Sequence, residues 1–209
     1  MVELAILGAL KERPMHGYEL KKRLTYLLGH LWKISFGSLY PALKRLESKD
    51  AIEKAYTVKE KTRNRYVYRI TPEGEDFFQR LLVDTQKSSE ITDSDKFNVR
   101  LAFFQYMEPE MRLWLLEKRR NYLEEKLSEM RSMTKPRYKD SDSYRQGLYR
   151  HGQEIIQNDI AWLNGMIDQE KKYIQERKDG REPASKKEKG GESLVIEEKS
   201  LDGVTTLQA

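Results

Sequence analysis

The stretch HGYELKKRL (residues 16–24), followed by SFGSLYPALKRL (35–46), decides the fold of this chain. In both segments leucines recur three or four residues apart, which is the spacing of one face of an α-helix. Gly29 can adopt the left-handed backbone conformation that ends many helices, so it can end the first helix. Ser35 can cap the start of the second helix through its hydroxyl. The pattern therefore predicts two short helices that follow each other directly.

The flanking residues predict one helix before this pair, and a hairpin and a further helix after it. An apolar stripe over 3–11 gives the first helix. In 51–58 and 65–70 apolar residues stand at even-numbered positions and alternate with polar ones, which is typical of strands with one buried face. They are Ile52, Tyr56, Val58, Tyr66, Tyr68 and Ile70. Thr71 then caps a helix that has Pro72 at its first position. Three helices, a hairpin and a helix form a winged helix-turn-helix.

The second half of the chain carries two apolar stripes at heptad spacing, one of them with Arg120 in it and the other with Glu170. We expect two long helices and a dimer interface built from their stripes. The predicted interface residues are Leu113, Leu116, Leu123, Leu127, Met130, Ile156, Ile160, Leu163 and Ile167. The alternative is a hairpin within one chain that buries both stripes.

These patterns give a mainly α fold class with four segments. They are a winged helix-turn-helix domain at 1–84, a polar linker at 85–94, an all-helical dimerisation domain at 95–177 and a disordered tail at 178–209. The 209 residues include no cysteine and no signal or membrane-spanning pattern. We therefore expect a cytoplasmic protein without disulfides, metal or cofactor.

The basic excess of the chain lies in its first 80 residues. They hold 16 lysines and arginines against 10 acidic residues, a net charge of +6, whereas the remainder carries −1. Such asymmetry suggests that the N-terminal part faces a polyanion. A solvated helix surface is the alternative, and charge alone favours neither.

The predicted third helix offers a face for DNA. In a helix-turn-helix this element lies in the major groove. Small residues allow close approach, basic residues donate to phosphates, and a tyrosine ring suits thymine methyl groups. Opposite the leucines, and flanking that face, stand Ser35, Gly37, Ser38, Tyr40, Pro41, Lys44, Arg45 and Ser48.

Two further elements are candidate DNA contacts. The start of the second helix, with His16, Gly17 and Tyr18, is a candidate phosphate-binding site, because the first backbone N–H groups of a helix have no partner within the helix. A simple cap at His16 and a half-buried Tyr18 are the structural alternative. The hairpin tip is basic, as wing tips that contact DNA are, and its candidate contacts are Lys61, Arg63, Asn64 and Arg65.

Aromatic residues of the helical half could line an effector pocket, although plain core is the more common role of such residues. The candidates are Phe97, Phe104, Trp114 and Trp162. An enzyme is disfavoured, because the three histidines are scattered and neither a framed nucleophile nor a phosphate-binding loop is present.

The runs ILGALKERPMHGYELKKRL, ISFGSLYPALKRLESKDAIEK and YVYRITPEGEDFF resemble the PadR family of bacterial transcriptional regulators over residues 4–78. Phe36 departs from the family pattern, in which many members carry proline at this position. The helical half is more loosely similar to the subfamily with a larger C-terminal domain. The resemblance implies a homodimer that binds double-stranded DNA at an inverted-repeat operator, usually represses, and in some members responds to a small molecule.

We therefore predict a sequence-specific transcriptional regulator, with a possible small-molecule effector and no membrane association. The alternative is a protein–protein interaction module that uses the winged helix and the heptad stripes without DNA. The basic residues of the third helix and the wing favour DNA, because an adaptor would not need them on one side of the fold.

Overall fold

The computed structural model describes residues 1–29, 31–59, 64–84, 89–137 and 142–180. Within them the protein is mainly helical with one small antiparallel sheet, which confirms the predicted fold class. All but the first three residues of the predicted tail lie outside the described part. Among the described residues, no helix combines the length and apolar character needed to cross a membrane.

The N-terminal half has the order of elements of a winged helix. The bounds are α1 Val2–Glu12, β1 Met15–His16, α2 Gly17–Leu28, α3 Phe36–Glu47, β2 Ile52–Lys59, β3 Asn64–Ile70 and α4 Pro72–Val83. The predicted caps are confirmed, since Ser35 Oγ accepts from the N–H of Ser38 (3.2 Å) and Thr71 Oγ from that of Gly74 (3.0 Å). Gly29 has a φ of +52° and ends α2.

The sheet has the strand order β1-β3-β2, one strand more than predicted. β1 has two residues, too few to show an alternating pattern. The alternation predicted for the apolar even-numbered residues holds for Ile52, which is buried, but not for all of them. A bulge between Lys54 and Tyr56 shifts the register of β2, so Tyr56 is exposed, and in β3 Val67 is buried while Tyr66 is exposed.

The C-terminal half is helical throughout its described residues. The bounds are α5 Ser89–Thr92, α6 Ser94–Leu101, a 3₁₀ turn Phe104–Tyr106, α7 Pro109–Arg137 and α8 Ser143–Lys178. The short helix α5 lies inside the segment predicted as linker. α7 and α8 form an antiparallel hairpin, in which Arg112 pairs with Glu170 (2.8 Å) and Lys171 with Glu117 (3.1 Å).

One continuous core joins the two halves. The ring of Phe103, which follows α6, packs edge-on against Phe78 of α4 with centroids 6.0 Å apart. The same ring covers Gly8 of α1 so closely that a methyl group there would lie 2.7 Å from Phe103 Cζ. Residues C-terminal to the predicted linker therefore complete the core of the winged helix.

Candidate nucleic-acid interface

The face of α3 opposite its buried leucines is open to solvent. Leu39, Leu43 and Leu46 are at most 1% exposed, and they anchor the helix against the core. Because apolar residues on one face fix the rotation of an amphipathic helix, the opposite face must point outward. The exposed residues are Gly37, Tyr40, Pro41, Lys44, Arg45 and Ser48.

Polar residues cap the N-terminal ends of α2 and α3, which we call the mouths of these helices. Ser35 Oγ accepts from the N–H of Ser38, whose own hydroxyl donates to the carbonyl of Ser35 (3.0 Å). His16 Nδ1 accepts from the N–H of Glu19 (3.2 Å) and so caps α2. His16 therefore acts as the N-cap that was the structural alternative to a phosphate contact. The hydrogen bonds of Ser35 and Ser38 fix the backbone of the first turn of α3.

Gly17 lies where α2 and α3 meet. It is buried, and a methyl group on its Cα would lie 3.0 Å from Cε1 and 3.2 Å from the hydroxyl oxygen of Tyr40. The absence of a side chain therefore lets the two helix mouths approach each other. This packing explains the glycine without the close phosphate approach expected from the sequence.

Three exposed aromatic rings cross the two helix mouths, and we call Tyr18, Phe36 and Tyr40 the aromatic strip. The ring centroids of Tyr18 and Phe36 are 6.4 Å apart, and those of Phe36 and Tyr40 are 5.9 Å apart, with interplanar angles of 20° and 22°. Offset stacking at these distances is favourable. Their exposed fractions are 59%, 37% and 52%, so the strip is an apolar patch on the surface.

Basic groups border the aromatic strip. Lys21 Nζ lies 4.0 Å from the ring centroid of Phe36, and the guanidinium carbon of Arg65 lies 5.9 Å from that of Tyr18. Both distances are within the range of cation–π attraction. Lys44 is exposed on the next turn of α3, and no described residue forms an ion pair with it. The start of α3 is thus apolar at its centre and positive at its border.

Arg45 has a carboxylate partner, unlike Lys44. Its Nε donates to Glu3 of α1 (3.0 Å), and Lys49 Nζ lies 3.4 Å from the same carboxylate. Burial raises the pKa of Glu3, but the hydrogen bond from Arg45 and the charge of Lys49 outweigh it, so the net pKa is lowered. Glu3 therefore stays ionised near neutral pH and offsets part of the positive charge of Arg45.

The predicted wing contacts are only partly visible. Lys61 and Arg63 lie outside the described residues, and Asn64 is described through its backbone alone. Arg65 is half-buried beside Tyr18, which places the outer end of the wing strands next to the N-terminal end of α2.

The comparison with known families decides the identity of this winged helix. The model of the family described as "Transcriptional regulator PadR-like family" matches residues 6–80, a span from α1 to α4. A curated relative from Lysinibacillus sphaericus, "Uncharacterized protein X", is 30% identical over 88 residues, which cover 42% of this chain and 81% of the relative. The chain belongs to the PadR-like family of transcriptional regulators. The resemblance predicted from the sequence is confirmed.

Other relatives of this PadR-like regulator match over smaller shares of their length. An "Uncharacterized 37.1 kDa protein in transposon TN4556" from Streptomyces fradiae is 35% identical over 78 residues, 37% of this chain and 21% of that protein. The "Negative transcriptional regulator PadR" of Bacillus subtilis (strain 168) is 26% identical over 103 residues, 49% of this chain and 56% of that protein. The chain thus spans less than two thirds of both.

Among solved structures, the crystal structure of Bacillus subtilis PadR in complex with operator DNA is similar to this PadR-like regulator. The match covers 80% of this chain and 98% of that chain, with 23% identity and a TM-score of 0.40.

The two heptad stripes of this PadR-like chain cover each other inside the α7–α8 hairpin. All nine residues predicted for the dimer interface are buried or partly buried in the single chain. Leu116, Leu123 and Leu163, for example, are 1%, 3% and 1% exposed. Their packing matches the intramolecular alternative, so a contact between two copies needs other side chains.

A second apolar stripe runs along the outside of α8, and we call Tyr144, Leu148, Ile155 and Trp162 the outer stripe. Their spacing of four, seven and seven residues keeps them on one face of the helix. They are 88%, 72%, 47% and 49% exposed. The outer stripe was not predicted, although its heptad spacing is present in the sequence, because the stripe buried against α7 already accounts for the same helix.

The predicted effector residues do not form one group in the PadR-like fold. Phe97 and Trp162 line a groove of about 280 Å³ between the end of α2 and helices α6, α7 and α8. Phe104 is buried behind Phe97, with ring centroids 6.4 Å apart, and Trp114 lies elsewhere on α7 beneath Lys118. Phe104 and Trp114 are not among the residues that line this groove, and the effector site stays a prediction.

A buried arginine supplies the polar wall of this groove. Arg119 is 5% exposed and donates to the carbonyls of Ile91 (2.7 Å) and Thr92 (2.6 Å), so it caps the C-terminal end of α5. Burial lowers the pKa of its guanidinium, while the charge of Asp159, also at the groove, opposes that shift. The heptad spacing of the sequence instead puts Arg120, the neighbouring residue, in the apolar stripe.

Proposed function

We propose that this PadR-like regulator binds an inverted-repeat operator as a homodimer and represses transcription. The observation that carries the proposal is the outward face of α3, where Tyr40, Pro41 and Lys44 are exposed opposite a buried leucine face. An element that enters the major groove needs such a firmly anchored helix with an open, basic outer face.

Each contact element has its own part in the proposed complex. The aromatic strip and Gly37 would meet base edges at the mouth of α3, and Lys44 would reach a phosphate. Arg65 would extend the contact towards the wing. The wing tip, with Lys61 and Arg63, would follow the backbone or the minor groove beside the half-site.

We propose that the dimer forms through the outer stripe of α8. Four large apolar side chains exposed on one helix face are costly in water, and a second copy of the same helix supplies a matching apolar partner. The helix has 36 residues, about 54 Å at 1.5 Å per residue, which is long enough to hold two winged helices apart. A dimer that binds an inverted repeat must hold its two recognition helices about 34 Å apart.

Selection of random duplexes by the full-length protein at near-physiological salt tests the proposed operator. We expect enrichment of an inverted repeat whose half-site centres lie one helical turn apart. Binding without any sequence preference would contradict the proposal and favour a protein partner for the winged helix.

Lys44 provides a quantitative test of the recognition face. Replacing Lys44 by alanine should reduce the slope of log affinity against log salt by about one, because one phosphate contact is lost. Fluorescence anisotropy over a salt series measures this slope. The matched control is Lys126→Ala, which removes an exposed lysine of α7 and should leave the slope unchanged. An unchanged slope in Lys44→Ala would remove this face of α3 from the interface.

We further propose the groove beside Arg119 as the site of an effector. It joins aromatic side chains, Phe97 and Trp162, to a buried guanidinium, which is the chemistry that binds a small aromatic carboxylate. Its walls come from both halves of the chain, since Leu31 follows α2. An occupant would therefore contact the segment that precedes the recognition helix.

A panel of small aromatic carboxylates, added to the selected duplex and the protein, tests the effector proposal. A compound that fits should raise the melting temperature of the free protein and lower its affinity for the duplex. Ser94→Trp, which would fill the groove and leaves the outer stripe unchanged, should lose both effects. Retention of both effects in this variant would place the effector elsewhere.

A further inference from the structure

We propose that Phe36 is a specificity-determining residue, which reads the methyl groups of thymine at the mouth of α3. The inference rests on the proposed operator binding and deepens it. Phe36 is the first residue of α3 and the central ring of the aromatic strip, stacked on Tyr40 on one side and Tyr18 on the other.

The position of the ring is fixed before any DNA arrives. One stacking partner, Tyr18, lies in the first turn of α2, and the other, Tyr40, lies one turn after Phe36 in α3. The two helix ends are brought together at Gly17. Lys21 Nζ, 4.0 Å from the centroid of Phe36, adds a cation to the same stack. A side chain held in this way loses little conformational entropy on binding, which favours affinity.

The chemistry of the strip selects its target. Of the groups that base pairs present in the major groove, the thymine methyl is the apolar one. Phenylalanine has no hydrogen-bonding group, so its exposed edge gains by covering a methyl group and gains nothing from amino or carbonyl edges. The basic groups at the border, Lys21 and Arg65, would hold the backbone while the ring reads the base.

Replacement of thymine by deoxyuridine removes only the methyl group, so it isolates this contact. The probe is the duplex recovered by selection from random sequences, in which each thymine is replaced singly by deoxyuridine. For the wild-type protein, we expect one or two positions in each half-site where this replacement weakens binding about fourfold, the effect of one buried methyl-sized group.

Phe36→Ala should bind the thymine and deoxyuridine duplexes equally at those positions. The matched control is Tyr26→Ala, which removes an exposed ring of α2 (80% exposed) outside the strip and should keep the full discrimination. If Phe36→Ala does not fold, Phe36→Leu is judged by the same criterion, and its discrimination must fall below that of the wild type.

Two results would overturn the inference. One is a wild-type protein that does not distinguish thymine from deoxyuridine, and the other is a Phe36→Ala variant that keeps the discrimination. If that variant also binds both duplexes more weakly by the same factor, Phe36 has a purely structural role. In both results, sequence-specific binding by the wild type persists, whereas its absence would contradict the proposed function itself.

Discussion

Replacing Leu148 and Ile155 together by aspartate should convert the protein to a monomer and weaken its binding to an inverted-repeat duplex by about 100-fold or more. Both residues belong to the outer stripe and are 72% and 47% exposed in the single chain, so the change should leave the hairpin of α7 and α8 folded. Two carboxylates placed in an apolar interface would oppose association, because each would lose its hydration.

Sedimentation velocity measures the first effect, and a chain of 24.8 kDa gives a clear difference between monomer and dimer. The matched control carries Gln157→Asp and Ala161→Asp, which add the same two carboxylates to exposed positions on another face of α8. We expect this control to remain a dimer. A persistent dimer in the Leu148 and Ile155 variant would place the interface outside the outer stripe.

Gly74→Ala should have the largest effect on stability, a loss of about 3 kcal/mol in the free energy of unfolding. Gly74 lies in the first turn of α4, and a methyl group there would lie 2.8 Å from the carbonyl carbon of Ala51 and 2.9 Å from Ile70 Cγ1. The carbonyl oxygen of Ala51 would be closer still. It accepts the N–H of Thr71 (3.2 Å), so it is not free to move away.

Urea unfolding followed by circular dichroism measures the loss. The control is Gly165→Ala in the middle of α8, where a methyl group would meet no atom within 4 Å. The same substitution there should stabilise the protein by up to about 1 kcal/mol, because alanine favours a helix more than glycine does. Equal effects at the two sites would mean that the contact between α4 and the residue before β2 is not tight.

Local signals made much of the winged helix predictable. The caps at Ser35 and Thr71 and the stop at Gly29 involve residues three or four positions apart, so the sequence shows them directly. The exposed face of α3 was also predictable, since a helical period fixes which residues lie opposite the leucines. The residues that contact DNA stay a prediction until binding is measured.

Features that depend on distant residues were not predictable in this way. The aromatic strip exists because α2 and α3 meet at Gly17, and Phe36 gains its neighbours only through that contact. Phe103 packs on α1 and α4 from beyond the predicted linker. Arg119 is buried because it caps α5, a helix of four residues that carries no periodic signal.

The central claim is that the mouth of α3 reads the major groove of DNA in two half-sites. Methylation interference tests it directly, because methylation of guanine N7 modifies the major groove while methylation of adenine N3 modifies the minor groove. On the duplex recovered by selection, we predict strong interference at guanine N7 in two symmetric half-sites about one helical turn apart. Binding that tolerates N7 methylation at every guanine of both half-sites would contradict the claim.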